Sequence, residues 1–418
     1  MKRISLEIKE ENMISLYEDM ELPLVEVLAS MEYVGINTNI DVLNEIDREI
    51  TEKLKSLEAK IYEEADEEFN INSPKQLGII LFEKMDFPVI KKTKTGYSTS
   101  ADVLEKLKDK GEIIENILDY RKFSKLKSTY IDGLKAVINK NTNRIHSRFM
   151  QTVTSTGRIS STEPNLQNIP IKTEEGKLIR KAFLASENSI LVDADYSQIE
   201  LRVLAALSND KEMLNAFIEG LDIHRKTASE VFHVDYEDVT SLQRSEAKAV
   251  NFGIVYGISD YGLSQNLNIP RKAAKEYIDN YLEHFVGIKN YMSEEIEKGK
   301  KKGYVETIFK RRRYIPELNA KNFNIRSFGE RVALNTPIQG SAADIIKIAM
   351  VKVYSELKKR KLKSKLIIQI HDELVVDAVE DEVEEVKKIM KDLMENSVDL
   401  NVKLSVDMNT GVNLYESK

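Results

Sequence analysis

The chain has no cysteine and no tryptophan among its 418 residues, and only eight prolines. Lack of cysteine excludes disulfides and thiolate metal sites, so any metal must rest on oxygen or imidazole ligands, and a reducing compartment fits. No segment approaches the roughly 18 uninterrupted apolar residues that a membrane-spanning helix needs. The opening MKRISLEIKEEN lacks the apolar stretch of a secretory signal. These absences point to a soluble, cytoplasmic protein. What is present is enough for a large core: 42% of residues are hydrophobic, and the length exceeds one ordinary domain, so two or three packed lobes are expected.

The net charge of -7 gives no sign of nucleic-acid binding, but the distribution of charge matters more than its sum. Between Gly299 and Tyr314 seven Lys/Arg stand against the single acid Glu306, and Lys91, Lys92 and Lys94 form a smaller cluster. Each cluster alone is as readily a solvated face.

Apolar residues at Leu43, Ile46, Ile50, Leu54, Leu57 and Ile61 recur every three or four positions, which predicts a long amphipathic helix from Asp41 to about Glu68. Asn72-Ser73-Pro74 places a cap before a proline at the first helical position of a second helix, and Thr99 with Asp102 suggests a capping box for a third. From about Arg144 the helical period gives way to the turn-rich TSTGRISSTEPNLQNIP, residues 154 to 170, a loop long enough to be functional. Residues 189 to 195, SILVDAD, read as a buried strand that runs directly into the helix SQIELRVLAALS. Residues 210 to 300 read as helices with short breaks, and KLIIQIHDELVVDAV as a hairpin around a polar His-Asp-Glu.

Three constellations carry chemistry. Two apolar strands deliver acids to their ends: Asp195, and Asp372 with Glu373. Brought together, such carboxylates repel and acquire raised pKa values unless a cation sits between them, and their oxygens suit Mg2+. Spacing alone does not bring them together, and either acid is also readable as a solvated turn residue. On the helix LQRSEAKAVNFGIVYG, Arg244, Lys248, Phe252 and Tyr256 recur every fourth residue. Two cations followed by two rings make a poor core face and suit a nucleotide, with charges on the phosphates and rings against sugar and base. Gly253 and Gly257 leave room for a close approach. Finally, Arg331, Asn335 and Gln339 repeat the same spacing with groups able to reach minor-groove acceptors, although Pro337 is expected to interrupt their helix.

In this order, DYSQIELR (195–202), RSEAKAVNFGIVYG (244–257) and QIHDE (369–373) resemble the three signature motifs of family A DNA polymerases. The likeness extends to TGRISSTEPNLQNIP, DIHRKTASEVF, GYVETIFKRRRYIPEL and ALNTPIQGSAADIIK, and covers nearly the whole chain from Glu21. It implies an α+β right-hand fold, with residues 1–40 leading in, 41–140 a helical thumb, 203–325 helical fingers, and 141–202 with 326–418 a palm built on an antiparallel sheet. It implies a monomeric, bacterial, nucleoid-associated DNA polymerase acting on primer-template DNA and deoxynucleoside triphosphates. The implied cofactor is a pair of Mg2+ ions, replaceable by Mn2+, on Asp195 and Asp372 with Glu373 beside them.

By the same resemblance Arg244, Lys248, Phe252, Tyr256, His224, Glu200 and Gln198 would hold the nucleotide. Lys248 would donate a proton to departing pyrophosphate, and Glu200 would crowd the sugar C2′ position. Arg158, Asn165, Gln167, Asn168, Arg331, Asn335, Gln339 and His371 would contact DNA. The chain departs from the family pattern at Ser245, Glu246 and Lys172, and in a tail without tryptophan. Only 20 residues precede Glu21, so neither a proofreading exonuclease nor a 5′-nuclease is expected here. A catalytically silent primer-template binding protein of the same fold is the alternative.

Overall fold

The computed structural model describes residues 7–94, 96–171 and 173–418. Its spine is a four-stranded antiparallel sheet of β1 (Ser189–Tyr196), β2 (Lys365–Ile370), β3 (Glu373–Val379) and β4 (Val406–Gly411), in the order β2-β3-β1-β4. Alternation along β1 sends Val192, Ala194 and Tyr196 to one face and Leu191, Asp193 and Asp195 to the other. Each face has its own core: Val192 and Ala194 pack with Leu374 and Val376, whereas Leu191 packs with Ile368 and Val375. Burial on both sides explains why these strands read as apolar runs rather than as clean alternation.

The first lobe is helical, with α1 (Leu22–Val34), α2 (Ile40–Ala65) and α3 (Glu112–Lys125). Asn39 starts α2 by accepting the backbone N–H groups of Asp41 and Val42, and Leu43, Ile46, Ile50 and Ile61 form its buried stripe. The helix stops at Ala65, short of Glu68, because Asp66 turns left-handed at φ +48°. Ser73 caps the helix opened by Pro74. The expected Thr99 capping box is absent. That helix begins at Ala101 after Ser100, while Thr99 serves Arg121, which donates to its carbonyl at 2.5 Å and its hydroxyl at 3.3 Å.

After β1, α4 (Ile199–Ser208) leads into a second helical lobe that contains α5 (Ile223–Phe232) and α6 (Ser241–Val255). The chain returns to the sheet through the 37-residue α7 (Phe323–Lys359), and α8 (Val383–Glu395) packs beside it. Pro337 does not interrupt α7, contrary to expectation. Thr336, Pro337 and Ile338 are all buried, so tertiary packing holds the helix across the missing N–H.

The basic run from Gly299 to Tyr314 is not a free cationic patch. Arg311 Nε donates to Asp344 Oδ1 at 2.8 Å, Arg312 Nε to Glu306 Oε1 at 3.1 Å, and the buried Lys347 to Glu21 Oε1 at 2.8 Å. The Arg311 pair ties the hairpin of Tyr304–Glu306 and Arg312–Tyr314 to α7, the Lys347 pair ties α7 to Glu21 just before α1, and the Arg312 pair lies within the hairpin. Lys91, Lys92 and Lys94 remain exposed on a short hairpin of the first lobe.

Candidate active site

The strand-end acids meet. Asp195 lies directly across from Glu373 on β3 and from Asp407 on β4, and the carbonyl of Asp372, in the turn before β3, accepts from Tyr196 N at 3.1 Å. Asp195, Asp372 and Glu373 line one cavity of about 500 Å³, together with His371, Gln167 and Asn168. Burial, reinforced by the charge of Asp195, pushes the Asp372 carboxyl up to about 7. Burial also raises Asp195, with Glu373 and Asp407 adding and Lys418 opposing.

Oxygen donors strained in this way fit a hard cation that keeps waters and takes few protein ligands. Among the described residues no three His, Asp or Glu side chains are arranged as a closed metal cage. Glu373 is 3% exposed, and its carboxylate pairs with Lys418 and lies 3.7 Å from Arg180.

The cation-and-ring face of α6 points away from the core: Ala247, Val250, Asn251 and Ile254 are buried, while Arg244, Lys248 and Tyr256 are exposed and Phe252 is half-buried. All four line a second cavity of about 480 Å³ with His224, Gln198, Glu200, Arg158, His371 and Asp372. Asp372 and His371 border both cavities, so the two adjoin across a single turn. His371 holds that turn in a left-handed conformation at φ +54°. Gln198, also left-handed at φ +56°, turns the chain from β1 into α4 and so aims Glu200 into the pocket.

Within this pocket Arg158 donates to Glu200 Oε1 at 2.5 Å and Tyr256 Oη to Glu200 Oε2 at 3.2 Å. Arg244 Nε donates to Asp222 Oδ2 at 2.7 Å, and Lys248 Nζ lies 6.0 Å from the Phe252 ring centre. Burial holds the His224 imidazole down at about 4, against the opposing charge of Asp222.

Of the residues expected at DNA, Gln167, Asn168 and His371 line the first cavity and Arg158 and His371 the second, whereas Asn165, Arg331, Asn335 and Gln339 line neither. Gln167 Nε2 donates to Gln369 Oε1 at 2.9 Å, Asn165 Oδ1 accepts from Gln167 N at 3.0 Å, and the Asn168 carbonyl accepts from Tyr130 Oη at 2.8 Å. Arg331, Asn335 and Gln339 form a half-exposed strip on α7 between buried neighbours. Gly257 packs there. At φ +64° it is left-handed, and an added Cβ would lie 3.2 Å from Arg331 Cα, so glycine satisfies both the conformation and the contact. Lys172 lies outside the described residues.

Several participants were not singled out by the sequence reading. Asp222 anchors Arg244, and Asn251 Nδ2 lies 3.1 Å from His224 Nδ1. Asp193, Arg180 and Lys418 gather around Glu373. For Asp193 a signal existed, because two residues along a strand share a face and Asp195 had already been placed there.

The sequence model described as DNA polymerase family A matches residues 40–416. DNA polymerase I of Bacillus subtilis (strain 168) is 57% identical over 378 residues, which is 90% of this chain and 43% of that protein. DNA polymerase I of Geobacillus stearothermophilus is 55% identical over 373 residues, covering 89% and 43%. The chain thus spans less than half the length of these relatives. Among solved structures, the POL domain of Pol1 from M. smegmatis, in complex with DNA primer-template and dNTP, superposes with a TM-score of 0.94 at 40% identity, covering 99% of this chain and 73% of that one. The α+β fold is therefore that of a Pol I polymerase domain. With two adjoining cavities that bring its three signature segments together, and a family model that matches residues 40–416, the chain belongs to DNA polymerase family A.

Proposed function

We propose that this chain is a DNA-directed DNA polymerase that adds deoxynucleotides to a primer 3′-hydroxyl. The observation that carries the reading is the 480 Å³ cavity in which Arg244, Lys248, Phe252 and Tyr256 face Glu200 and Asp372. A nucleoside triphosphate needs cations at one end, a flat apolar surface at the other, and acids at the reacting phosphate. The cavity offers all three within one space.

In this reading Asp195 and Asp372 hold two Mg2+ ions, for which Mn2+ can substitute, and Glu373 supports them. When bound, those ions lower the pKa of the primer hydroxyl and offset charge at the α-phosphate. Arg244 and Lys248 orient the β- and γ-phosphates, assisted by His224, and Lys248 donates a proton to the departing pyrophosphate. Tyr256 fills the insertion site before a nucleotide enters, and Gln198 and Glu200 border the sugar. Glu200 leaves no room for a 2′-hydroxyl. Arg158, His371, Asn165, Gln167 and Asn168, with the α7 strip of Arg331, Asn335 and Gln339, check the minor groove of the primer-template, where every Watson-Crick pair offers acceptors at similar places.

Residues 41–140 act as thumb, 203–325 as fingers, and 141–202 with 326–418 as palm. The chain works as a monomer at the nucleoid. In this reading these 418 residues neither proofread nor cleave 5′ ends, which the span of the polymerase family model over residues 40–416 supports. A primer-extension assay with the purified chain, primer-template, deoxynucleotides and Mg2+ tests the proposal. Template-dependent elongation is expected, without shortening of a mismatched primer when nucleotides are withheld. Binding of primer-template without elongation would leave only a silent binding protein.

A further inference from the structure

The acidic strand ends of the sheet already carry a partly exposed cation. Lys418 Nζ lies 3.2 Å from Asp195 Oδ2 and pairs more closely still with Glu373 Oε2. The other cation there, Arg180, is of a different kind. It is 3% exposed and its Nε is fixed to the Leu414 carbonyl at 3.0 Å, so it cannot leave. The Lys418 side chain is 34% exposed, and an ammonium on a flexible four-carbon stem can swing into water.

Acids crowd together here. Asp193 is 2% exposed and shares the Asp195 face; among the described residues neither of its carboxylate oxygens nor Glu373 Oε1 has a hydrogen-bond partner, and burial, with the charge of Glu373 beside it, pushes the Asp193 carboxyl up to about 9. Among the described residues, the cations paired with Asp195 and Glu373 are Arg180 and Lys418. The oxygen that Lys418 holds, Asp195 Oδ2, belongs to the residue assigned above to a metal ion. An ammonium at that oxygen and a divalent cation on the same carboxylate would repel across a few ångströms of partly buried space, where screening is weak.

We propose that Lys418 is a built-in competitor for the divalent cation at Asp195, and that it must release Asp195 before the metal can bind. The proposal rests on the reading of Asp195 as a metal ligand. While no metal is bound, Lys418 keeps the acids from repelling one another across the β1-β3 pair. Once a metal arrives, the same charge is supplied from outside and the ammonium turns toward solvent. Each cation lowers the occupancy of the other by the same factor, so the Lys418 contact sets the metal concentration at which the site fills.

The test is Mn2+ binding to the DNA-free protein, followed through the paramagnetic resonance signal of free Mn2+, for the parent, Lys418→Gln, Lys418→Arg and Asp195→Asn. Lys418→Gln should bind Mn2+ about tenfold more tightly, within the ordinary span of coupling between sites, and Lys418→Arg should stay near the parent. The Mg2+ midpoint for primer extension should fall in parallel. Unchanged Mn2+ affinity in Lys418→Gln, with Asp195→Asn losing Mn2+, would overturn the competition and leave the metal site standing. If Lys418→Gln weakened primer-template binding and left the Mn2+ midpoint unmoved, Lys418 would be a DNA contact and the proposal would be wrong. Full Mn2+ binding by Asp195→Asn would remove the metal reading itself.

Discussion

Tyr256 donates its hydroxyl to Glu200 Oε2 at 3.2 Å while Arg158 holds the other oxygen of the same carboxylate at 2.5 Å. In the proposed complex this buried acid, held by Arg158, stands beside the sugar C2′ position. Replacing Glu200 by Ala opens that space and should lower discrimination against ribonucleotides by about tenfold or more, the scale on which a removed steric obstacle acts. The ratio of kcat/KM for deoxy- and ribonucleotides measures it. An unchanged ratio would show that another group guards the sugar.

Phe252 lies in the same cavity, its ring 5.8 Å from that of His224. In the proposed complex the nucleotide 3′-hydroxyl fills a polar space beside its own phosphates, and phenylalanine cannot replace it when it is missing. Phe252→Tyr adds an oxygen to the same ring. We expect the parent to discriminate strongly against dideoxynucleotides and Phe252→Tyr to lose most of that selectivity in competitive incorporation. Equal selectivity in both proteins would make Phe252 a packing residue only.

His224 offers a pH test. Burial holds it at about 4 in the folded protein, well below its ordinary 6.5. Its stabilising contribution is therefore complete above pH 6.5 and is lost as the pH falls toward 4. Asn251 Nδ2 lies 3.1 Å from Nδ1, so the neutral ring keeps its proton on Nε2. Imidazole resonances of His224 should show this neutral tautomer at pH 6, and a bound triphosphate should raise the value by favouring the imidazolium. Titration near 6.5 in the free protein would contradict the buried assignment.

How much of this was legible beforehand depended on the range of the interaction. The stripe Leu43, Ile46, Ile50 and Ile61 announced α2 because helix burial repeats locally. The run around Asp195 announced β1 for the same reason. The helix end at Asp66 and the Ser100 start were missed by one to three residues, since a left-handed residue or a competing partner such as Arg121 decides them. Pro337 misled, because intrinsic preference yields to packing when both neighbours are buried. Within the site, the α6 face could be read from its spacing, whereas the meeting of Asp195 with Asp372 rested on family likeness. The pairing of β1 with β3 brings them together across 177 residues, and no local pattern carries that information. The positions of Arg180 and Lys418 were hidden for the same reason.

In the proposed mechanism Asp195 and Asp372 act together at the reacting phosphate. Single-turnover primer extension by Asp195→Asn and Asp372→Asn, with primer-template binding measured on the same samples, tests it most directly. Each substitution should slow extension by several orders of magnitude, each tenfold being about 1.4 kcal/mol of barrier, while binding stays within a few-fold of the parent. Extension at near-parent rate by either variant would contradict it.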